Sequence, residues 1–117
     1  MKNEDLLLTD ETKGKSKKDF ITEKQFESQV KDLAKVFHWR YYHTWRSIHS
    51  PAGFPDCVLV REKGDGTAFL LFFELKSEKG KITEAQEVWL SILSKVPGVG
   101  VYCFRPSDFD ELVEVLK

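Results

Sequence analysis

The sequence is poor in the residues that build stapled or membrane-embedded folds. Its 117 residues include two cysteines, Cys57 and Cys103, so neither a disulfide framework nor a four-thiolate zinc site can be assembled. No run approaches the ~18–20 apolar residues that a membrane-spanning helix needs. Near the N-terminus, Leu6-Leu7-Leu8 follows Glu4-Asp5 and is too short for a signal core. Net charge is scarce as well. Lys+Arg total 18 against 19 Asp+Glu, leaving −1, whereas a small nucleic-acid binder is often strongly basic. Any nucleic-acid contact must therefore depend on where the charges sit. What is present is enough for one packed domain: 41% hydrophobic and 32% charged residues in a chain of ordinary domain length. The expectation is a cytoplasmic single-domain protein with no membrane partner and no organic cofactor.

Residues 1–19 mix five lysines with five acids and hold only the leucine triplet as apolar matter. They read as a flexible charged tail, because so little burial cannot offset the entropy of ordering. The domain proper is expected over 20–117. Thr22-Glu23-Lys24-Gln25 has the form of a capping box, with Ile21 and Phe26 spaced as a hydrophobic staple. Phe26, Val30, Leu33, Val36 and Phe37 follow at helical spacing, predicting a helix over about 22–37. Aromatic and β-branched residues 39–44 suit a strand, and Ser, Pro and Gly make 45–55 a loop. Asp56–Arg61 is a second strand and Lys63-Gly64-Asp65-Gly66 a turn. Thr67–Lys76 is a long strand whose centre, Phe69 to Phe73, is apolar without alternation, as expected when both faces are covered. Thr83-Glu84-Ala85-Gln86 repeats the capping pattern before a helix that Pro97-Gly98 stops. Val99–Arg105 is a fourth strand, and Ser107 is placed to cap a last helix carrying Phe109, Leu112, Val113 and Leu116. The order α-β-β-β-α-β-α implies an α/β fold, a mixed sheet of about four strands with helices on both faces.

One position is wrong for a plain core. Glu74 follows five apolar residues, and Lys76, two further on, shares its side of the strand. On the preceding strand Asp56 comes directly after Pro55, where the ladder must open. A hairpin centred near residue 65 pairs residue i with about 130 − i, which sets Asp56 beside Glu74. Two adjacent carboxylates repel unless a cation or a shared proton sits between them. Hard oxygen donors suit Mg²⁺ or Mn²⁺. With Lys76 alongside, the set suits metal-assisted phosphodiester hydrolysis. A plainer alternative is a Glu74–Lys76 salt bridge at the sheet end beside a surface Asp56.

Pro55-Asp56, seventeen residues, then Glu74-Leu75-Lys76 resembles the PD-(D/E)XK nuclease signature, and the element order resembles that superfamily's core. More narrowly, Gly53-Phe54-Pro55-Asp56, Glu74-Leu75-Lys76, Lys81-Ile82-Thr83-Glu84-Ala85-Gln86 and Arg105-Pro106-Ser107-Asp108 are similar to the stand-alone VRR-NUC nucleases of phages and bacteria. The resemblance runs from about Thr22 to the C-terminus. It implies that Asp56, Glu74 and the backbone carbonyl of Leu75 ligate the metal, that Lys76 is the catalytic lysine, and that Gln86 faces the site. A purely capping role for Gln86 is the alternative. It also implies an acid or amide on the first helix. Glu23 and Glu27 lie about 60° and 100° from Phe26 on the helical wheel and Gln29 about 60° to the other side, so all three remain candidates. His38 stands where relatives commonly have glycine.

No acid lies between Asp32 and Asp56. Those positions hold Lys35, Arg40, Arg46 and all three histidines, and with them Trp39, Tyr41, Tyr42 and Trp45. A basic, aromatic loop leading into Asp56 can grip a phosphate backbone and stack on bases. Arg40, Arg46, Ser47, His49 and Ser50 are the contact candidates, with Lys79 and Lys81 beyond the Glu-Leu-Lys strand. Trp39 and Tyr41 read equally well as sheet core, His43 as structural, ligand or base, and Cys57 and Cys103 as packing. No element reads base sequence, so the expected activity is a Mg²⁺-dependent endonuclease selective for DNA structure, with Mn²⁺ able to substitute. Holliday junctions or flaps are the expected substrates. The resemblance favours a homodimer, working in a bacterial or phage-infected cell. The alternative is a non-cleaving DNA-binding or partner subunit with a degenerate site.

Overall fold

The computed structural model describes residues 20–45 and 49–117. The expected tail at 1–19 lies outside the described residues, as do Arg46 and Ser47. Helix α1 (Glu23–Val36) starts where the sequence signals it: the Gln25 amide donates to Thr22 Oγ1 at 3.0 Å, and the Thr22 amide donates to Gln25 Oε1 at 2.9 Å. Phe26, Val30 and Ala34 form its fully buried stripe. At its far end the Trp39 amide reaches Ala34 O and the His38 amide reaches Lys35 O. This is a Schellman closure, whose middle residue must enter the left-handed region. His38 does so, with φ +67°, which explains why a glycine would suit that position.

Strand β1 (Arg40–His43) pairs antiparallel with β2 (Cys57–Glu62), and β2 with β3 (Ala68–Leu75). The β2–β3 register runs from Cys57 opposite Phe73 to Glu62 opposite Ala68, the pairing expected from a turn centred at 65. Helix α2 (Glu84–Leu93) then crosses over so that β4 (Val99–Phe104) runs parallel to β3. The sheet order is β1-β2-β3-β4. Helix α3 (Phe109–Leu116) closes the chain. The element order and the mixed four-stranded sheet are those expected.

The core lies on one sheet face. Cys57, Leu59, Leu71, Phe73 and Leu75 meet Phe26 and Val30 of α1 and Leu112 and Leu116 of α3, with Trp39 and Phe104 completing the cluster. Each large side chain buried here contributes about 1.5–3 kcal/mol. Arg61 ties the layer together: its guanidinium donates to Phe37 O, Leu116 O and Lys117 O and lies 4.4 Å from the centre of the Trp39 ring. Trp39 Nε1 also donates to Leu116 O at 2.9 Å.

Two expectations need correction. The apolar run of β3 is not covered equally on both faces. Leu71 and Phe73 are buried, but Leu70 and Phe72 are only half-buried and Phe69 is 41% exposed. The second layer is thin, because Phe54 stands between Phe72 and Trp89 of α2 and α2 itself has no fully buried residue. Nor does Ser107 cap the last helix. Pro106–Asp108 form a 3₁₀ turn before α3, and the Asp108 carboxylate accepts from the Arg105 amide at 2.8 Å. Among the described residues no helix is long and apolar enough to cross a membrane.

Candidate metal centre

The open end of the β2–β3 hairpin gathers the candidate residues. Asp56 immediately precedes β2. Its carbonyl accepts from the Thr44 amide at 2.7 Å, and its Oδ2 accepts from the Leu75 amide at 2.8 Å. The carboxylate is thus held at the last rungs of β3, beside Glu74. Glu74 is 1% exposed and Lys76 8% exposed, and they are the two buried charged residues among those described. Glu74 Oε2 lies 3.7 Å from Lys76 Nζ, while Glu74 Oε1 is buried with no hydrogen-bond partner. An unsatisfied buried carboxylate oxygen is costly. Burial first, and then the neighbouring Asp56, push the Glu74 carboxyl up to about 8; Lys76 pulls in the opposite direction.

Helix α1 adds two more acids. One carboxylate oxygen each from Glu23, Glu27 and Asp56 lie within 4.8 Å of one another. Burial and then Asp56 raise the Glu23 carboxyl as well. Both glutamates, which the helical wheel leaves undecided, therefore reach Asp56, whereas Gln29 is exposed on the opposite flank. His43, at the end of β1, places Nε2 3.3 Å from Glu27 Oε1. Sequence reasoning leaves its role open; the β1–β2 register, which sets His43 opposite Cys57, is the signal that brings it here.

This donor set fits a hard divalent cation. Three carboxylates, those of Glu23, Glu27 and Asp56, converge; Glu74 feels the charge of Asp56, carries the Lys76 ammonium on one oxygen and leaves the other buried without a hydrogen-bond partner. Surroundings dominated by carboxylate oxygens, with the His43 imidazole at their edge, match Mg²⁺ or Mn²⁺.

Beside the acids lies an open groove of about 1000 Å³, whose walls include Glu27, Asp56, Tyr42, Trp45, Gln86 and Trp89. Gly53, at φ +99°, lets the loop pack onto the first turn of α2; a Cβ there would fall 2.5 Å from the Ala85 carbonyl group. That contact brings Gln86 to the groove. Gln86 serves as a cap at the same time, its Oε1 accepting from the Thr83 amide at 2.9 Å.

A family model, the VRR-NUC domain, matches residues 5–105. The chain belongs to the VRR-NUC family. Comparison with curated proteins and with solved structures gives no match. A VRR-NUC domain is of the PD-(D/E)XK nuclease type and implies a nuclease with DNA as its substrate. The remaining sequence candidates spread out on this VRR-NUC domain. Ser50 lines the groove, and His49 sits next to it in an exposed turn. Lys79 and Lys81 are exposed on the loop after β3. Arg105, unmarked by sequence reasoning as a contact, fastens that loop by donating to Ser77 O, Glu78 O and Gly80 O. Arg40 is also exposed, but it lies opposite Val60 at the far end of β1 from the acids, because strand alternation and length carry it away. Trp39 and Tyr41 belong to the core side: Trp39 is buried, and the Tyr41 hydroxyl meets Cys57 Sγ at 3.2 Å. Burial pushes the Cys57 thiol up to about 12, so it stays protonated and packs.

Proposed function

We propose that this VRR-NUC domain is a Mg²⁺-dependent, structure-selective DNA endonuclease, with Mn²⁺ able to substitute, that hydrolyses phosphodiester bonds in branched DNA such as Holliday junctions or flaps. The observation that carries the reading is the buried Glu74 carboxylate beside Asp56, one oxygen facing Lys76 and the other left without a hydrogen-bond partner. Buried titratable groups with strongly perturbed surroundings cluster at functional sites. Asp56, Glu74 and the Leu75 carbonyl would hold the cation, with Glu23 and Glu27 completing its surroundings. When bound, such a cation would supply charge stabilisation for the phosphate as it is attacked and would make water at the site easier to deprotonate.

The chain's own residues do the rest. Asp56 is fixed through Oδ2 by the Leu75 amide, which leaves its second oxygen to serve as a ligand. Lys76 is held close to Glu74 and orients the attacking water or steadies the phosphate oxygens. Gln86, anchored by its own cap, offers an amide at the groove wall. Ser50, His49, Lys79 and Lys81 would steady flanking phosphates, joined by Arg46 and Ser47; Arg40 would reach only DNA extending along β1. Val88, Ile92 and Val96 are exposed along α2 and its continuation, an apolar stripe that a homodimer would cover while placing two sites on two strands.

The test is cleavage of four-way, flap and linear DNA with and without Mg²⁺, together with a mass measurement in solution. Branched substrates should be cut only with the cation, and Asp56→Asn and Lys76→Ala should each lower the rate at least about a hundredfold. Cutting that survives both substitutions refutes the assignment. Binding of branched DNA without cutting in either Mg²⁺ or Mn²⁺ would make the chain a non-cleaving DNA-binding subunit.

A further inference from the structure

Two aromatic side chains stand in solvent next to the acids. Trp45 is 83% exposed and Tyr42 62% exposed, and both line the groove that also holds Asp56 and Glu27. Neither has a packing role in the core described above. Their placement follows from the register. Tyr42 pairs with Val58 and Val58 with Phe72, so the three form one row across the sheet. Phe54 lies edge-on to Phe72 with ring centres 5.9 Å apart, and Trp89 closes on Phe54 at 5.0 Å. The far wall is rigid, because Trp89 Nε1 donates to Ala52 O at 3.2 Å. The groove therefore has a fixed aromatic wall on one side and two exposed aromatic faces on the other.

This row stops two residues short of the carboxylates. Val58 is two positions after Asp56, and Phe72 two positions before Glu74, a separation of about 7 Å along the strands. That is about one nucleotide step along an extended strand. A continuous duplex presents only sugar–phosphate edges and stacked bases to such a groove, whereas an unpaired nucleotide presents a flat, two-sided π-face. Polar groups for a base edge are present, since Thr44, Ser50 and Gln86 share the lining.

We propose that the Tyr42–Trp45 groove is a stacking site for an unpaired nucleobase adjoining the scissile phosphate. The inference rests on the nuclease reading and names what that site selects: a nucleotide already released from pairing at a fork, gap or junction centre. Stacking is sequence-tolerant because every base has a π-face, which agrees with selection for DNA structure over base sequence. Tyr42 and Trp45 are binding residues here and take no part in bond breaking.

The experiment uses the full chain with Ca²⁺ present and two probes, a twelve-nucleotide oligothymidylate and a duplex of equal length. Stacking on Trp45 should quench tryptophan emission with the single strand and not with the duplex. Trp45→Ala should remove that quenching and weaken single-strand and forked-DNA binding about tenfold, with Tyr42→Ala acting in the same direction and Trp45→Phe losing less than about threefold. Duplex affinity should stay unchanged in all three. Both positions are exposed, so the variants keep the fold, which the melting temperature checks. Equal binding of single strand by Trp45→Ala, Tyr42→Ala and the unmodified chain overturns the stacking site, as does quenching by duplex alone. The two readings fail separately. If Asp56→Asn abolishes cutting while the aromatic variants discriminate unpaired from paired DNA as before, the nuclease stands and the stacking site falls. If nothing cuts but single strand quenches Trp45, the stacking site stands without the nuclease.

Discussion

Replacing Glu74 by glutamine should make the metal-free protein more stable and the enzyme inactive. The Glu74 carboxyl is held up to about 8 by burial and by Asp56, against an ordinary value of 4.5. A carboxyl raised in the folded state contributes its full stability below the unfolded value and loses it as pH climbs toward the folded value. Stability of the metal-free protein should therefore fall from about pH 4.5 to about pH 8, at up to ~1.4 kcal/mol per pH unit. By pH 7 the loss approaches about 3 kcal/mol, the opposing pull of Lys76 being already contained in the value of about 8. Glu74→Gln keeps the shape and removes the charge. It should melt about 10 °C above the unmodified protein at pH 7 in EDTA, and level with it near pH 4.5. Saturating Mg²⁺ should stabilise the unmodified protein alone, by ~2.7 kcal/mol at a hundred times its dissociation constant. Thermal melts at pH 4.5, 6 and 7.5, with EDTA or Mg²⁺, test this directly. A Glu74→Gln variant that melts lower than the unmodified protein at pH 7 in EDTA, or a gap that does not widen with pH, would refute the placement of Glu74 as a buried acid whose charge Lys76 compensates only in part.

Other expectations follow from single contacts. His38→Gly should stabilise the protein by about 1 kcal/mol, because it relieves a left-handed backbone at the end of α1; a melt shows it, and cleavage should not change. Arg61→Ala removes three charge-assisted hydrogen bonds and the stack on Trp39, so denaturant unfolding should show a loss of about 2–3 kcal/mol. Gly53→Ala strains a positive φ and drives a methyl into the Ala85 carbonyl. It should cost at least about 2 kcal/mol and slow cleavage by moving α2, while Ala52→Ser, next to it, should do neither.

The hairpin and its carboxylates are legible because strand pairing obeys integer arithmetic. Once Lys63–Gly66 is recognised as the turn, the residues opposite each other follow, and Asp56 meets Glu74. Capping residues fix the starts of α1 and α2 in the same way, since Thr22 and Thr83 satisfy amides that nothing else can reach. The wheel narrows the helix acids to two flanks but leaves the choice open, because it does not show on which side of α1 the sheet end lies. Arg61 escapes notice, and the role of His43 stays open, for a related reason: their partners are 55 and 16 residues away on other elements, and no local pattern marks such contacts. The covering of β3 is misjudged because an unbroken apolar run reports hydrophobicity and not how much of a second layer exists to meet it. Ser107 is misplaced because the Arg105 amide finds the Asp108 carboxylate first.

The two carboxylates belong to opposite arms of one ribbon, and that has a consequence for how this chain can vary. The bend at 63–66 lies six residues, about 20 Å, from them. Deleting one residue there, unless the bend absorbs it, slides one arm by a single step, and every side chain beyond it changes sides. Phe73 or Leu75 would then arrive where Glu74 stands, delivering an oil-like group to Asp56. A paired length change in that distant bend keeps each side chain on its face, yet it still exchanges Glu74 for another residue beside Asp56, so the span of a surface loop is itself part of the site.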